Sequence, residues 1–315
     1  MHVSQSASSL FRRLRYKHML MLVTLGTSQN LHRAAESMSM SQPATTRMLQ
    51  EIEDAFGCEL FERQSRGIRP NALGEEVIRF AQTALNQLNR CAEGIAEKSL
   101  GGYGNLAIGT IMGAAPDLVV QSVAEMKRVY PRLRIRIMGD TSDQLIELLD
   151  QGVIDLAVAR RNLDSDRTRF EFEPLGNERM ILTVHREHPL AHARNLNLEE
   201  LVNDWPWILQ PPSSPARIAL EQSLERMSLP SPPDIIECSS VFAMLQLVQM
   251  TDSILFLSEM VLKDYLRTGL VVALPISVSE KMTPYGILTR SNTPFTREME
   301  EFVKLLREQS KTLEA

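Results

Sequence analysis

Residues 31–63, LHRAAESMSMSQPATTRMLQEIEDAFGCELFER, constrain the fold of this chain more than any other segment. An alanine-rich stretch is followed by a turn and by a second helical stretch. Ser41 can accept a hydrogen bond from an otherwise unpaired N–H at the start of that second helix. Pro43 suits its first turn, where a missing N–H costs nothing. The segment therefore predicts two short helices joined by a tight turn, the second beginning near Gln42.

The two predicted helices differ in the faces they present. The first, about 31–38, should be capped by Asn30 and pack through Leu31, Ala34, Ala35 and Met38. In the second, an inward stripe at helical spacing is expected from Thr45, Met48, Leu49 and Ile52. Between positions 42 and 50 its opposite side carries no acid and consists of Gln42, Pro43, Thr46, Arg47 and Gln50. Such groups can hydrogen-bond DNA base edges or phosphates, although an ordinary surface helix would show the same capping signals.

The segment after the second helix favours the DNA-binding interpretation. Gly57 is followed by Leu60 and Phe61 in extended spacing, and the stretch ends at Pro70. Around a turn that contains Gly67 lie three arginines, Arg63, Arg66 and Arg69. A strand, turn and strand with arginines near its tip can lie along the DNA backbone or enter the minor groove. Together, these segments predict a winged helix-turn-helix.

The run AAESMSMSQPATTRMLQEIEDAFGCELFERQSRGIRPNALGEE resembles the DNA-binding domain of LysR-type transcriptional regulators. Matching positions are Arg33, Ala34, Ala35, Ser41, Gln42, Pro43, Ala44, Leu60, Phe61, Arg63 and Gly74. The chain departs from the usual pattern with His32, Thr45, Thr46, Pro70 and Asn71. The face, the wing and the resemblance together predict these DNA-binding residues: Asn30, His32, Arg33, Ser41, Gln42, Pro43, Thr45, Thr46, Arg47, Gln50, Arg63 and Arg66.

A second organised stretch follows the predicted wing. An apolar seam recurs at intervals of four and three residues, at Val77, Ala81, Ala84, Leu88, Cys91 and Ile95. This heptad spacing favours side-by-side pairing of two helices, although a helix packed on its own domain remains an alternative. Asn71 can cap the helix, and Gly101, Gly102 and Gly104 can form a hinge after it. The helix resembles the dimerising linker helix of the family, which implies two recognition helices about 34 Å apart on a two-fold operator.

The remainder of the chain alternates strand and helix signals, which predicts parallel α/β structure. It resembles the family's two-lobed effector domain, whose fold is like that of periplasmic solute-binding proteins. Its details look most like the subgroup of sugar-binding-protein (galactose-binding protein) regulators. The chain is expected to return to the first lobe at VVALPI and YGILTR. The expected domains are a flexible arm 1–13, a mainly α winged domain 14–71, a long linker helix and hinge 72–102, and an effector domain 103–315, with lobes at about 103–183 with 268–315 and 184–267.

Small polar residues follow several predicted strands of this effector domain. Ligands of α/β sheets bind beyond the carboxyl ends of strands, often at helix N-termini. Each serine or threonine there could instead serve as a helix cap, and the two roles are compatible. A site for a small carboxylate or a sugar is expected from Thr110, Met112, Gly113, Thr141, Ser142, Pro211, Ser213, Ser214, Ser239, Ser240 and Val241.

Composition and motifs bound the remaining possibilities. The first 70 residues carry nine Lys and Arg against six acids, whereas the chain as a whole has a net charge of −5. No stretch reaches the roughly 18 apolar residues of a spanning helix, and three widely spaced cysteines predict no disulfide framework, so a cytoplasmic location is expected. No common nucleotide-binding or hydrolase motif occurs. The cluster of His185, His188 and His192 lacks the partner segment of a zinc site, so neither a metal nor a cofactor is expected.

The sequence thus predicts a ligand-responsive DNA-binding regulator and not an enzyme. Its expected partners are double-stranded operator DNA, a small effector, further copies of itself as a homodimer or homotetramer, and RNA polymerase if it is an activator. The competing hypothesis is a solute-binding or catalytic α/β protein whose N-terminal domain mediates protein contacts. The acid-free helix face beside an arginine-containing wing argues against it.

Overall fold

A computed structural model describes residues 13–64, 67–99, 104–161, 169–278, 282–291 and 293–314. The predicted arm, apart from Arg13, lies outside these residues, as do Arg66 and the glycines at 101 and 102. The chain forms two compact units. The first holds the described residues up to 107, with 132–134 and 146–155, and the second holds the others.

The first unit contains the two helices predicted from residues 31–63. Its elements are α1 (Tyr16–Ser28), α2 (Leu31–Ser37), α3 (Gln42–Phe56), β1 (Phe61–Gln64), β2 (Gly67–Pro70) and α4 (Ala72–Ser99). Asn30 caps α2 by accepting from the N–H groups of His32 and Arg33, and Ser41 caps α3 by accepting from that of Ala44. The core beneath these helices includes Met21, Leu22, Leu25, Ala34, Ile52 and Leu60. The predicted caps and the predicted start of α3 are confirmed.

The wing is an antiparallel pair, β1 with β2, held to the helices by specific hydrogen bonds. The Glu53 carboxylate on α3 accepts from the backbone N–H groups of Leu60, at 2.8 Å, and Phe61, at 3.2 Å. On the second strand of the hairpin, the N–H of Ile68 donates at 3.0 Å to the carbonyl of Gln29, the residue that follows α1. Gly67 has φ of +134°, and a Cβ there would lie 2.5 Å from that same carbonyl oxygen. A side chain at position 67 would therefore push the wing away from the helices.

Helix α4 contacts the winged domain with one side and leaves apolar residues exposed elsewhere. Asn71 precedes it and accepts from the N–H of Gly74 at 2.9 Å, as the capping prediction requires. Ala81, expected in the pairing seam, is instead buried in the winged-domain core, and Val77 packs partly against that core. Because the start of the helix must close this core, that part of the predicted seam is wrong. The exposed large apolar side chains along α4 are Leu73, Phe80, Leu88 and Ile95.

The second half of the chain contains two five-stranded sheets. The first has the order β4–β3–β5–β12–β6. Its strands are β3 (Asn105–Thr110), β4 (Arg134–Gly139), β5 (Leu156–Arg160), β6 (Phe170–Gly176) and β12 (Tyr285–Arg290). Strands β3 and β5 are parallel, whereas β12 runs antiparallel to both β5 and β6. The accompanying helices are α5 (Val120–Val129), α6 (Ser142–Asp150) and α11 (Arg297–Glu314), with shorter helical turns at Met112–Ala114 and Ala115–Val119.

The second sheet has the order β11–β7–β10–β8–β9. Its strands are β7 (Met180–His185), β8 (Trp207–Leu209), β9 (Ile235–Glu237), β10 (Ile254–Ser258) and β11 (Val271–Ala273), and its helices are α7 (Leu198–Asp204), α8 (Pro215–Arg226), α9 (Val241–Met250) and α10 (Glu259–Arg267). Strand β10 is parallel to β8 and antiparallel to β7. Buried side chains of this lobe include Leu182, Trp207 and Phe256.

Two expectations for this region are corrected by the sheets. The stretch VVALPI was expected to return to the first lobe, but Val271–Ala273 pairs antiparallel with β7 in the second sheet. The whole of β7 also belongs to the second sheet, so the predicted lobe boundary at 183 cuts through a strand. Both sheets are mixed and not purely parallel. Apolar strand patterns predict strands without specifying the neighbour with which each one pairs.

Candidate nucleic-acid interface and ligand cavity

The side of α3 that was predicted to face DNA is largely open to solvent. Gln42, Pro43, Arg47 and Gln50 are exposed, and Thr46 is partly buried with its hydroxyl donating to the carbonyl of Gln42 at 3.0 Å. Thr45 is different, because it is fully buried and its hydroxyl donates to the carbonyl of Ser41 at 3.1 Å. Thr45 therefore belongs to the inward stripe, and its side chain has no surface with which to contact DNA.

Further predicted residues flank this face. Ser41, His32 and Arg33 are exposed, while Asn30 is partly buried and uses its side-chain oxygen to cap α2. The acid-free stretch ends at Gln50, whose amide donates to the Asp54 carboxylate one turn later, at 3.0 Å. The first two turns of α3 thus offer amide and guanidinium groups with no acid among them. Its later turns contain acids, the first of which is Glu51.

The wing, which follows α3 along the chain, carries exposed arginines. Arg63 on β1 and Arg69 on β2 are both exposed, and Arg69 lies opposite Glu62 in the antiparallel pair. Arg66 lies outside the described residues, so its predicted role stays a prediction. Sequence reasoning missed Glu53, which fixes the start of the wing; a glutamate in an otherwise polar helix position carries no signal that it binds backbone seven residues later.

A cavity of about 490 Å³ lies in the second unit, between its two sheets. Residues that follow the strands of both lobes converge on it. Eight of the predicted effector residues line the cavity, namely Met112, Gly113, Thr141, Ser142, Pro211, Ser213, Ser214 and Ser239. The residues expected at the ends of strands in both lobes thus line one cavity.

Three other predicted residues are not among those that line it. Thr110 is buried, and its hydroxyl donates to the carbonyl of Ile111 at 3.1 Å. Ser240 caps α9 by accepting from the N–H of Ala243, at 3.3 Å, and Val241 is the first residue of that helix. The Ser240 hydroxyl therefore acts as a helix cap, which was the alternative to a ligand contact.

The cavity also contains polar residues that sequence reasoning missed. They include Arg160, Glu178, Gln210 and Ser258. Arg160 and Ser258 end strands β5 and β10, so the strand-end rule could have found both. Glu178 lies in the segment that crosses from β6 to β7 and has no comparable sequence signal. Apolar side chains complete the lining, among them Ile111, Met112, Met180, Leu257 and Met282.

Arg160 and Glu178 form a largely buried ion pair at the cavity. Their side chains are 11% and 8% exposed, and the Arg160 Nη2 atom contacts the Glu178 carboxylate. Burial lowers the pKa of Arg160 to about 10, against an opposing effect of Tyr285, so the guanidinium stays charged at neutral pH. A Cβ at position 113 would overlap the Glu178 carboxylate. Gly113 therefore allows the carboxylate to lie against the backbone after β3.

The histidines weighed as a metal cluster have other contacts. His185 Nε2 lies 3.0 Å from Asp252 Oδ1, and the buried His188 ring lies against Trp205, with 4.6 Å between ring centroids. The N–H of Leu190 donates to His188 Nδ1 at 3.0 Å. Across the part of the chain that the structure describes, no group of three or more histidine, cysteine or acidic side chains is arranged to hold a metal ion. Its helices also include none that is long and apolar enough to cross a membrane.

Comparisons with known proteins agree over both units. A family model described as "Bacterial regulatory helix-turn-helix protein, lysR family" matches residues 16–75, and one described as "LysR substrate binding domain" matches residues 101–311. The chain is 34% identical over 285 residues to the HTH-type transcriptional regulator GbpR of Azospirillum brasilense, covering 90% of this chain and 83% of that protein.

Solved structures show the same fold. A full-length point variant of OxyR from Pseudomonas aeruginosa matches with a TM-score of 0.59 and 23% identity, over 93% of this chain and 95% of that one. Full-length CbnR complexed with its target DNA matches with a TM-score of 0.61 and 18% identity, over 94% and 100%. The chain belongs to the LysR family of transcriptional regulators, with an N-terminal DNA-binding helix-turn-helix domain and a two-lobed effector-binding domain.

Proposed function

We propose that this protein binds operator DNA through α3 and the wing, and that a small molecule in the cavity between the lobes changes that binding. The observation that carries the proposal is the exposed start of α3, where Gln42, Pro43 and Arg47 meet solvent and no acid occurs between positions 42 and 50. An amide and a guanidinium there can read base edges, while Arg63 can neutralise phosphate charge.

The DNA-binding unit in this proposal is a homodimer or a homotetramer. Leu73, Phe80, Leu88 and Ile95 give α4 an exposed apolar stripe over several turns. A second copy of α4 can cover that stripe and remove it from water. A two-fold axis between the helices suits a two-fold-related operator, with its half-sites about 34 Å apart. Contact with RNA polymerase is expected if the protein is an activator.

The cavity fits a small effector. Its volume of about 490 Å³ lies within the roughly 300–1,000 Å³ of small-molecule sites, and its polar groups converge from both lobes. A ligand that binds one arrangement of the lobes better than another shifts the population of the two arrangements, typically by about 1–3 kcal/mol. Uptake or catabolism of a sugar or an aromatic compound is the regulatory task that suits such an effector. The similarity to regulators such as GbpR supports a regulator over the solute-binding or catalytic alternative.

Arg47→Ala tests the recognition helix. Arg47 is exposed, so the variant should keep the wild-type circular dichroism and melting temperature while its affinity for the DNA upstream of its own gene falls roughly tenfold or more. Arg186→Ala, which changes an exposed arginine after β7, is the matched control and should bind DNA normally. Gel-shift titrations at two salt concentrations would measure both. Unchanged binding by a folded Arg47→Ala protein would contradict the proposed interface.

A further inference from the structure

The serine hydroxyls around the cavity are not equivalent. Ser214 caps α8 by accepting from the N–H of Arg217 at 3.2 Å, and Ser142 accepts from the N–H of Arg160 at 3.0 Å. Ser258 occupies the N-cap position of α10, yet its side chain makes no capping hydrogen bond. It is only 2% exposed, and its hydroxyl has no hydrogen-bond partner among the described residues. Helix capping therefore does not account for this hydroxyl.

A second polar group at the cavity is also unsatisfied. Arg160 is 9% exposed, and neither its Nε nor its Nη2 makes a hydrogen bond within the described part of the chain, although Nη2 contacts the Glu178 carboxylate as an ion pair. Buried polar groups are nearly always hydrogen-bonded, because an unmade bond leaves their desolvation uncompensated. Among the described residues that line the cavity, the Ser258 hydroxyl and the Arg160 Nε–H thus lack hydrogen-bond partners, and the Glu178 carboxylate in contact with Arg160 can accept hydrogen bonds. A bound molecule can supply the missing partners.

The charges at the cavity select among ligand classes. The described residues that line it include one cation, Arg160, and two acids, Glu178 and Asp140. Because Arg160 is already paired with Glu178, a ligand carboxylate would find no unpaired cation among the described residues that line the cavity, and the two acids there outnumber the one cation. Uncharged hydroxyl groups can donate to Glu178 and accept from Arg160 and Ser258 at the same time. The apolar side chains at Met112, Met180, Leu257 and Met282 can cover the C–H surface of the same molecule.

We infer that the effector is an uncharged polyhydroxy compound of monosaccharide size, with Ser258, Arg160 and Glu178 binding its hydroxyl groups. This inference rests on the proposed function, since it names the ligand class of the same cavity. It excludes simple carboxylates and aromatic acids as the preferred class. Ser258 contributes to affinity for the ligand and contributes nothing to the stability of the free protein.

Matched neutral and acidic probes test the ligand class. The full-length protein is titrated by calorimetry and thermal shift with a panel of aldopentoses and aldohexoses, with the uronic acid corresponding to each hexose, and with benzoate. At least one neutral compound should bind, and bind more tightly than its own uronic acid. Preferential binding of uronates or benzoate, or binding by no compound of the neutral panel, overturns the inference.

Ser258→Ala separates a ligand contact from a structural role. The variant should melt at the wild-type temperature or slightly above it, because the lost hydroxyl has no hydrogen-bond partner among the described residues, while the affinity for the bound neutral compound falls roughly five- to tenfold. Ser122→Ala is the matched control: Ser122 on α5 is also fully buried with an unpartnered hydroxyl in the described structure, but does not line the cavity. Wild-type affinity in Ser258→Ala, or an equal loss in Ser122→Ala, would contradict the assignment.

Glu178→Gln tests whether the Glu178 carboxylate causes the preference for neutral over acidic ligands. Removing the carboxylate charge releases Arg160 to attract an anion, so the preference for the neutral hexose over its uronic acid should shrink or reverse. A preference unchanged from wild type would show that Glu178 does not set it. Failure of these ligand tests with DNA binding intact would overturn the inference alone. Loss of specific DNA binding by the wild-type protein would overturn the proposed function itself.

Discussion

Arg90 on α4 forms an ion pair with Asp155, and the same carboxylate accepts from the backbone N–H of Ala107 at 2.8 Å. Both side chains are mostly buried, at 18% and 11% exposure. One turn earlier along α4, Asn86 donates to the carbonyl of Gln151 at 2.7 Å, and about one turn before that, Thr83 donates to the carbonyl of Asp150 at 2.9 Å. The linker helix is thus bound to the segment 150–155 by a row of polar contacts that the apolar seam did not predict.

Arg90→Ala should lower the free energy of unfolding by about 2 kcal/mol, because it leaves a mostly buried carboxylate without its cation. The control is Arg128→Ala, which breaks the exposed pair with Glu125 and should cost less than about 1 kcal/mol. Urea unfolding followed by far-ultraviolet circular dichroism compares the two. Equal losses in the two variants would show that burial of the Arg90 pair has no energetic effect.

Gly67→Ala should destabilise the winged domain by about 3 kcal/mol, since φ of +134° is strained for alanine and the new Cβ would overlap the Gln29 carbonyl. Gly57→Ala changes another glycine with positive φ, of +72°, but has open space around the Cβ. It should cost only about 1 kcal/mol. Thermal melts of both variants measure the difference, and a Gly67→Ala protein as stable as Gly57→Ala would contradict the close approach.

Local signals predicted the winged domain well, and long-range relationships explain the failures. The caps at Asn30, Ser41 and Asn71 depend on residues within one helical turn, so the sequence indicates them directly. Ala81 fitted the heptad spacing, but its side chain is buried in the winged-domain core, which the spacing does not describe. Likewise, the apolar sequence of Val271–Ala273 suits a strand in either lobe. Its pairing with β7 places it in the second sheet.

Only some of the residues that line the cavity could be predicted from the sequence. Strand ends indicated Ser142, Ser214 and Ser239, because the carboxyl ends of parallel strands face the same edge of a sheet. The partnership of Arg160 with Glu178 was not predictable, since Glu178 follows β6 and reaches Arg160 only through the order of strands in the sheet. The sequence also did not indicate that the Ser258 hydroxyl lacks a partner in the described part of the chain, because a serine before a helix ordinarily indicates a cap.

Acid should destabilise the second lobe through His188. Burial lowers the pKa of His188 below 6.5, His185 lowers it further, and Asp252 opposes both. The unfolded chain therefore takes up the proton first, so the contribution of His188 to stability is complete above pH 6.5 and is lost as the pH falls towards its folded pKa. His188→Asn, which cannot titrate, should reduce this pH dependence.

Tryptophan fluorescence localises that measurement, because the chain has two tryptophans and both Trp205 and Trp207 lie in the second lobe. Unfolding would be compared at about pH 5.5 and about pH 7.5, on either side of the ordinary histidine pKa, for the wild type and the variant. The same loss of stability between these pH values in both proteins would exclude His188 as the titrating group.

Leu88→Glu should weaken self-association, because it places a charge in the exposed stripe of α4. Sedimentation should show a shift towards monomer, with weaker operator binding as a consequence. Asn89→Glu adds the same charge at the next exposed position, outside the stripe, and should stay associated. A Leu88→Glu protein that associates like the wild type would place the dimer contact elsewhere.

The proposed function requires that a small molecule in the cavity changes the affinity of the protein for operator DNA. The most direct measurement is a fluorescence anisotropy titration of the full-length protein on labelled operator DNA, with and without a saturating amount of the neutral compound that binds most tightly. We predict that the compound changes the Kd for operator by about fivefold or more, and that operator changes the affinity for the compound by the same factor, as linkage requires. An operator Kd that is identical with and without the bound compound would contradict the proposed coupling.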